Sequence, residues 1–222
     1  METLLSYHPR DLLMFSPRVY WTMVATNNDL YWPLALIAPA AGLFLLWSLL
    51  RPGPVNRRIS LALTGLAWLF VSWSFLWLQY RSVNWAATWA MAPFVLQGLV
   101  LLALATSARA RPTPRAPRQW LAVALVAWGT LLHPLGFLLD DRDLAAADTW
   151  LLFPEPLAVT SLGLALALLS GWRLAVAMPV PLLWSLIGAT TLLGLGAPAG
   201  WGVLAAPLLA LAGLALPRRQ PP

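Results

Sequence analysis

Asn27-Asn28-Asp29-Leu30-Tyr31-Trp32-Pro33 divides the chain into two unlike parts. Before it, residues 1–30 are polar and irregular, with Glu2, Asp11 and Asp29 and two early prolines, Pro9 and Pro17. After it almost every stretch is apolar. The segment reads as the point where the chain first meets a lipid bilayer. Trp32 suits the interface, where an amphipathic ring has one wet and one apolar side. Pro33 opens a helix where its missing N–H leaves nothing unsatisfied.

Composition leads to the same class. Of 222 residues, 60% are hydrophobic and 10% are charged. A soluble domain carries about 25% charged residues. A soluble chain of this length has too little polar surface to cover so much apolar material, and lipid as solvent removes that demand. The absence of cysteine excludes disulfides, thiolate catalysis and cysteine metal sites. All 14 basic residues are Arg, so a lysine Schiff base is excluded too. The net charge of +6 sits in short connections between apolar runs, where it orients a membrane protein and is no sign of nucleic-acid binding. No basic start followed by an apolar core is present near the N-terminus, so no cleavable signal peptide is expected.

Working outward from Tyr31, seven apolar runs cover 31–50, 59–79, 84–105, 120–139, 155–171, 174–193 and 199–216. Each is close to the roughly 20 residues that a crossing needs. The last two could form a full hairpin or a shallower, re-entrant one, and their lengths favour two crossings. With seven spans, Arg10, Arg18, Arg81 and Arg142 share the N-terminal side. The other side has Arg51, Arg57, Arg58, Arg109, Arg111, Arg115, Arg118, Arg173, Arg218 and Arg219, which makes 4 against 10. The basic side stays in the cytoplasm. The expectation is an all-α bundle in the inner membrane, with an N-terminal head (1–30) outside, a transmembrane domain over 31–216 and a cytoplasmic tail at 217–222. All eight acids then fall outside.

Ser16-Pro17 has the form of a helix start, with Ser as N-cap. A short interfacial helix would follow, with Val19, Met23 and Leu30 sharing a face with Tyr20 or Trp21. The inner loop Ser107–Gln119 holds four Arg and three Pro. Arg109, Arg111, Arg115 and Arg118, with Arg51, Arg57 and Arg58, are read as topology anchors that meet anionic lipid headgroups. Pro39, Pro93, Pro134, Pro179, Pro181 and Pro207 punctuate the spans as static bends or as hinges. Gly163, Ala167 and Gly171, then Gly202, Ala206 and Ala210, offer small faces for close helix approach.

No Asp, Glu or Arg lies near the middle of a span, which argues against ion-coupled transport. The polar interior consists of Gln97, Thr64, Ser72, Ser74, Ser161, Ser185, Thr190 and Thr191. Gln97 reads as interhelical glue or, alternatively, as lining a cavity. His133 reads as bonded to a carbonyl, against the alternatives of proton relay or ligand. The run from Asp140 to Asp148 reads as a solvated acidic loop, since it lacks the Gly and terminal Glu of a calcium loop. Glu155, between Pro154 and Pro156, complements a helix N-terminus. No nucleophile elbow, His-Glu-x-x-His or phosphate-binding glycine loop occurs, so no catalytic residue, metal or cofactor is expected, and the chain is not read as an enzyme.

An ordered set of small motifs runs through the chain: Phe15-Ser16-Pro17, Asn28-Asp29-Leu30-Tyr31-Trp32-Pro33, Trp68 with Asn84, Gln97, Pro154-Glu155-Pro156, and Pro181 with Trp184 and Gly188. On these the chain resembles a bacterial family of small multi-pass membrane proteins classed as a domain of unknown function, some of them loosely labelled permeases. The resemblance runs from Phe15 to about Gly194. It departs at Phe75-Leu76, where the pattern has Tyr-His, and at Glu155, where it has Cys. It implies about seven spans and supplies no activity. Two function classes stay open. One is a small-molecule permease or channel with an outer mouth at Asn28, Asp29, Trp32, Asn84, His133 and Glu155 and with Gln97 deeper. The other is a non-catalytic scaffold or accessory subunit. Beyond the lipid bilayer, protein partners cannot be named from the sequence.

Overall fold

The computed structural model describes residues 13–107, 116–140 and 142–216. Arg109, Arg111 and Arg115, most of the arginine-rich loop, Asp141 and the tail lie outside the described residues. Among the described residues every regular element is helical: α1 Pro17–Leu30, α2 Trp32–Leu50, α3 Pro54–Val71, α4 Ala87–Thr106, α5 Ala116–Ala127, α6 Pro154–Leu168, α7 Trp172–Ala177, α8 Pro179–Gly194 and α9 Ala199–Ala215. A π-turn extends α3 over Ser72–Trp77, and another extends α5 over Trp128–Leu132, followed by a 3₁₀ stretch to Leu139.

Among the described residues five helical segments are long and apolar enough to cross a membrane by length and composition: Trp32–Leu50, Pro54–Ser82, Ala87–Thr106, Pro117–Leu139 and Trp172–Gly194. Two apolar helices are shorter, Pro154–Leu168 and Ala199–Ala215. The shorter α6 is the hub. Every residue from Pro154 to Leu166 is buried, as befits a helix apolar on all sides. It touches α3, α5, α8 and α9, while α3 packs along α4 and α8 along α9. At about 1.5 Å per residue α6 is roughly 22 Å long.

Close packing rests on small residues. A Cβ on Gly65 would lie 2.9 Å from the Gly98 carbonyl, and one on Gly98 would lie 2.8 Å from the Gly65 carbonyl. α3 and α4 therefore meet backbone to backbone, a contact that single glycines on separate helices do not announce in sequence. Gly163 meets the Ala122 carbonyl of α5, and Gly202 receives the Trp128 ring. Gly171 has a different task. Its φ of 58° turns the chain between α6 and α7.

Helix ends are satisfied by neighbours. Arg118 Nε donates to the Leu166 carbonyl at 3.1 Å and so caps the end of α6, where a cation also meets the negative pole of the helix. Gln119 Nε2 donates to Leu49 O at 2.7 Å and does the same for α2. Arg118 is 1% exposed and Arg57 is 7% exposed, so these two side chains are held by protein.

The helix α1 begins where Ser16-Pro17 implies, with the Val19 N–H donating to Ser16 Oγ at 3.4 Å. Its buried face is Tyr20, Met23, Val24, Asn27 and Asn28. Val19 and Leu30 of the expected apolar face are exposed, while Met23 and Tyr20 belong to the face that seats the helix on the protein.

Candidate functional site

The seat of α1 is the segment from Arg142 to Phe153, the strap between the α5 segment and α6. Asn28 Nδ2 donates to both Ala145 O and Ala147 O, each at 2.8 Å. The Trp150 indole donates to Ala38 O of α2 at 2.8 Å. Arg142 lies over the Trp21 ring at 3.6 Å, a cation–π contact that ties strap to head. Its guanidinium also donates to Asp140 at 2.6 Å and to Ala146 O at 3.2 Å.

Beneath the strap His133 Nε2 and Asp148 Oδ2 lie 2.8 Å apart, both 1% exposed. This corrects two readings. His133 meets a carboxylate and not a carbonyl, and Asp148 is buried and not solvated. The chain reverses between these two residues, 15 positions apart, and so brings Asp148 back onto the end of the α5 segment. Arg142 Nη1 stands 3.9 Å from Asp148 Oδ1. Burial pushes the Asp148 carboxyl up, but the His133 charge and hydrogen bond and the Arg142 guanidinium outweigh it, so the group sits below its ordinary value. The Tyr20 hydroxyl goes the other way, raised first by burial and then by the charge of Glu155.

Glu155 stands at the first turn of α6 and is 3% exposed. Opposite it, α8 lacks a side chain: a Cβ on Gly188 would lie 2.7 Å from Glu155 Cγ and 3.1 Å from Oε1. Trp184 and Ser185, one turn earlier, share that face and are buried. Asn84 donates to the Tyr80 hydroxyl at 3.1 Å, and Tyr80 stacks on Phe75 at 5.5 Å, itself edge-on to Phe153 at 5.2 Å.

Thus Asn28, His133 and Glu155 converge around the strap, with Asn84 reaching it through Tyr80. Trp32 is 61% exposed and Asp29 is exposed, so both face away. Gln97 lies apart. Its Nε2 donates to Ala177 O at 3.0 Å. That carbonyl is four residues before Pro181, which has no N–H to offer it. Gln97 therefore fills the gap that Pro181 opens in the α7–α8 segment. Several other deep polar side chains are spent similarly. The Trp68 indole donates to Ser161 Oγ at 2.8 Å, Ser48 and Ser60 pair at 2.8 Å, and Thr64 bonds back to Ser60 O at 2.8 Å.

Around the strap this satisfaction fails. Both amide atoms of Asn27, with Asn28 Oδ1, His133 Nδ1, Glu155 Oε2 and Ser185 Oγ, are buried without a hydrogen-bond partner. Native structures leave few such groups. Among the described residues no group of three His, Asp or Glu side chains stands close enough to hold a metal ion. Tyr20, Asn27, Arg142, Asp148, Trp184 and Ser185 were not singled out from sequence as one site. The pairing of His133 with an acid of the following loop was the one available signal.

The chain matches, over residues 17–221, a family model described as a family of unknown function (DUF6064), and it belongs to that family. No curated protein and no solved structure matches it.

Proposed function

With membership in that family as the premise, we propose that the chain is a non-catalytic multi-pass membrane protein of the binding or scaffold type, with seven crossings and its N-terminus outside. The observation that carries this reading is the fate of Gln97. The polar group deepest in the apolar body is bonded to the carbonyl opposite Pro181, so it ties helices together. A channel or permease needs its polar residues free along a path, and Trp68, Ser161, Ser48, Ser60 and Thr64 are spent as Gln97 is.

Surface tryptophans support the crossings. Trp32, Trp47, Trp73, Trp85, Trp89, Trp120, Trp172 and Trp201 are each at least 50% exposed. With seven spans, Trp32, Trp73, Trp85, Trp89 and Trp201 fall in the outer half, while Trp47, Trp120 and Trp172 lie by the inner ends. Two aromatic belts are what a bilayer's two interfaces select. The short α6 and α9 can cross because α6 is sheathed in protein and because polar chain at its ends is covered by the strap and by Arg118.

The test has two arms. Single cysteines introduced as Thr113→Cys and Leu144→Cys should react with an impermeant maleimide from opposite sides of the membrane, and same-side labelling would overturn the seven crossings. Purified protein in liposomes should leave the efflux of small polar solutes at the rate of protein-free vesicles. A saturable efflux would overturn the scaffold reading in favour of the permease.

A further inference from the structure

We propose that Glu155 anchors a binding site for a small ammonium-type cation, enclosed by the start of α6, the Trp184–Gly188 face of α8 and the head helix α1. Among the described residues two carboxylates are buried near the strap. Asp148 has His133 at 2.8 Å and Arg142 at 3.9 Å. Glu155 makes no ion pair among the described residues, and its Oε2 has no hydrogen-bond partner. The first turn of a helix favours the ionised carboxylate. A buried charge without a counter-charge costs several kcal/mol or more, so this carboxyl holds either a proton or a positive group.

The surroundings select the kind of cation. Ser185 Oγ is fully buried on the α8 face that meets Glu155 and has no partner, so it supplies a second acceptor. The Trp184 indole lies beside the Glu155 carboxylate, and Tyr20 and Tyr80 lie within reach of its charge. A metal ion wants more charged oxygen or nitrogen ligands than stand here, since no group of three such side chains forms among the described residues. An ammonium group needs only one carboxylate oxygen, a hydroxyl and aromatic walls. Gly188 is the residue that lets Glu155 stand against α8, because a Cβ there would press on Glu155 Cγ at 2.7 Å and on Oε1 at 3.1 Å. The strap beside the site is tied to the head by Asn28 and by Arg142 on Trp21, and to α2 by Trp150.

The inference goes beyond the proposed function and does not depend on the number of crossings, because the binding assay is blind to sidedness. The full-length protein in detergent micelles is unfolded by heat at mildly alkaline pH, with methylammonium chloride or sodium chloride at equal ionic strength. Methylammonium should raise Tm along a saturating curve, sodium should not, and Glu155→Gln should abolish the rise. Ser185→Ala removes an acceptor that has no protein partner, and it should raise the half-saturating concentration roughly ten- to a hundredfold, the loss of one hydrogen bond to a charged group. Three results would overturn the proposal: no rise in the wild type, the same rise with sodium, or the same rise in Glu155→Gln. If Glu155→Gln fails to fold, Ser185→Ala decides, and an unchanged half-saturating concentration overturns it. A carboxylic-acid infrared band that vanishes with Glu155→Gln and is untouched by methylammonium would mean a bound proton only, which also overturns it.

Discussion

Gln97→Leu isolates the role assigned to the deepest polar residue. Gln97 Nε2 lies 3.0 Å from Ala177 O, and both ends of the bond are buried. Leucine preserves volume and removes the donor. An interhelical bond of this kind contributes about 0.6 kcal/mol on average and at most about 1.7. A buried carbonyl left without a partner costs about 1–3 kcal/mol. Because Pro181 denies Ala177 its intrahelical donor, the upper half of these ranges applies, and the expected loss is about 1–2 kcal/mol. In a chain of this size that lowers Tm by roughly 3–6 °C. The informative comparison is with Pro181→Ala, which returns an N–H four residues after Ala177. In that background Gln97→Leu should cost much less, giving a coupling of about 1 kcal/mol in a double-mutant cycle read by thermal unfolding in micelles. Equal losses in both backgrounds would refute the idea that Gln97 substitutes for the missing proline N–H. Its bond to α7 would then be an ordinary helix contact.

Gly188→Ala should destabilise by about 1–3 kcal/mol, as overpacking does, because its Cβ would stand 2.7 Å from Glu155 Cγ. Adding Glu155→Ala should recover most of the loss, and no recovery would show that α8 is tight against something else. Asp148 lies below its ordinary value of 3.8 in the fold. Its contribution is therefore fully present above that value and lost as the pH falls through the depressed one. Asp148→Asn should lower Tm at neutral pH and flatten the acid limb of the Tm–pH curve. An acid limb identical to the wild type's would remove Asp148 from the account.

What was legible in the sequence followed from periodless apolar length. The start of α2 at Trp32-Pro33, the start of α1 at Ser16-Pro17 and the apolar body of α4 come from residues that act locally: an N-cap, a proline without a donor, a run long enough to cross. Gln97 could be marked as polar in an apolar run, and glue was one of its two readings. Its partner could not be read, because Ala177 is 80 residues away and its need for a donor arises from Pro181. Asp148 was misread for the same reason. An acid among other acids looks solvated until the chain reverses at the end of α5 and brings it to His133. The contact of Gly65 with Gly98 is invisible in either helix alone, since each has a single glycine facing its partner. Local chemistry is written in neighbouring letters, and these three contacts are made between distant ones.

The contrast between the two regions of the body bears on function more than any single residue does. Toward the arginine-rich side, exposed helix ends are closed by side chains from other helices: Arg118 on α6 and Gln119 on α2. In the middle, the indole of Trp68 and the amide of Gln97 bond across helices. That economy is what an apolar solvent imposes, because an unpaired donor has no water to turn to. Under the strap the economy breaks down at Asn27, His133, Glu155 and Ser185 together, and elsewhere it lapses at separate atoms such as Ser74 Oγ, Gln119 Oε1 and Trp128 Nε1. A fold that satisfies its carbonyls from 80 residues away has the means to satisfy Glu155. Leaving that carboxylate without a counter-charge, and keeping Gly188 so that it fits, is the pattern of a site that waits for a partner from outside the chain.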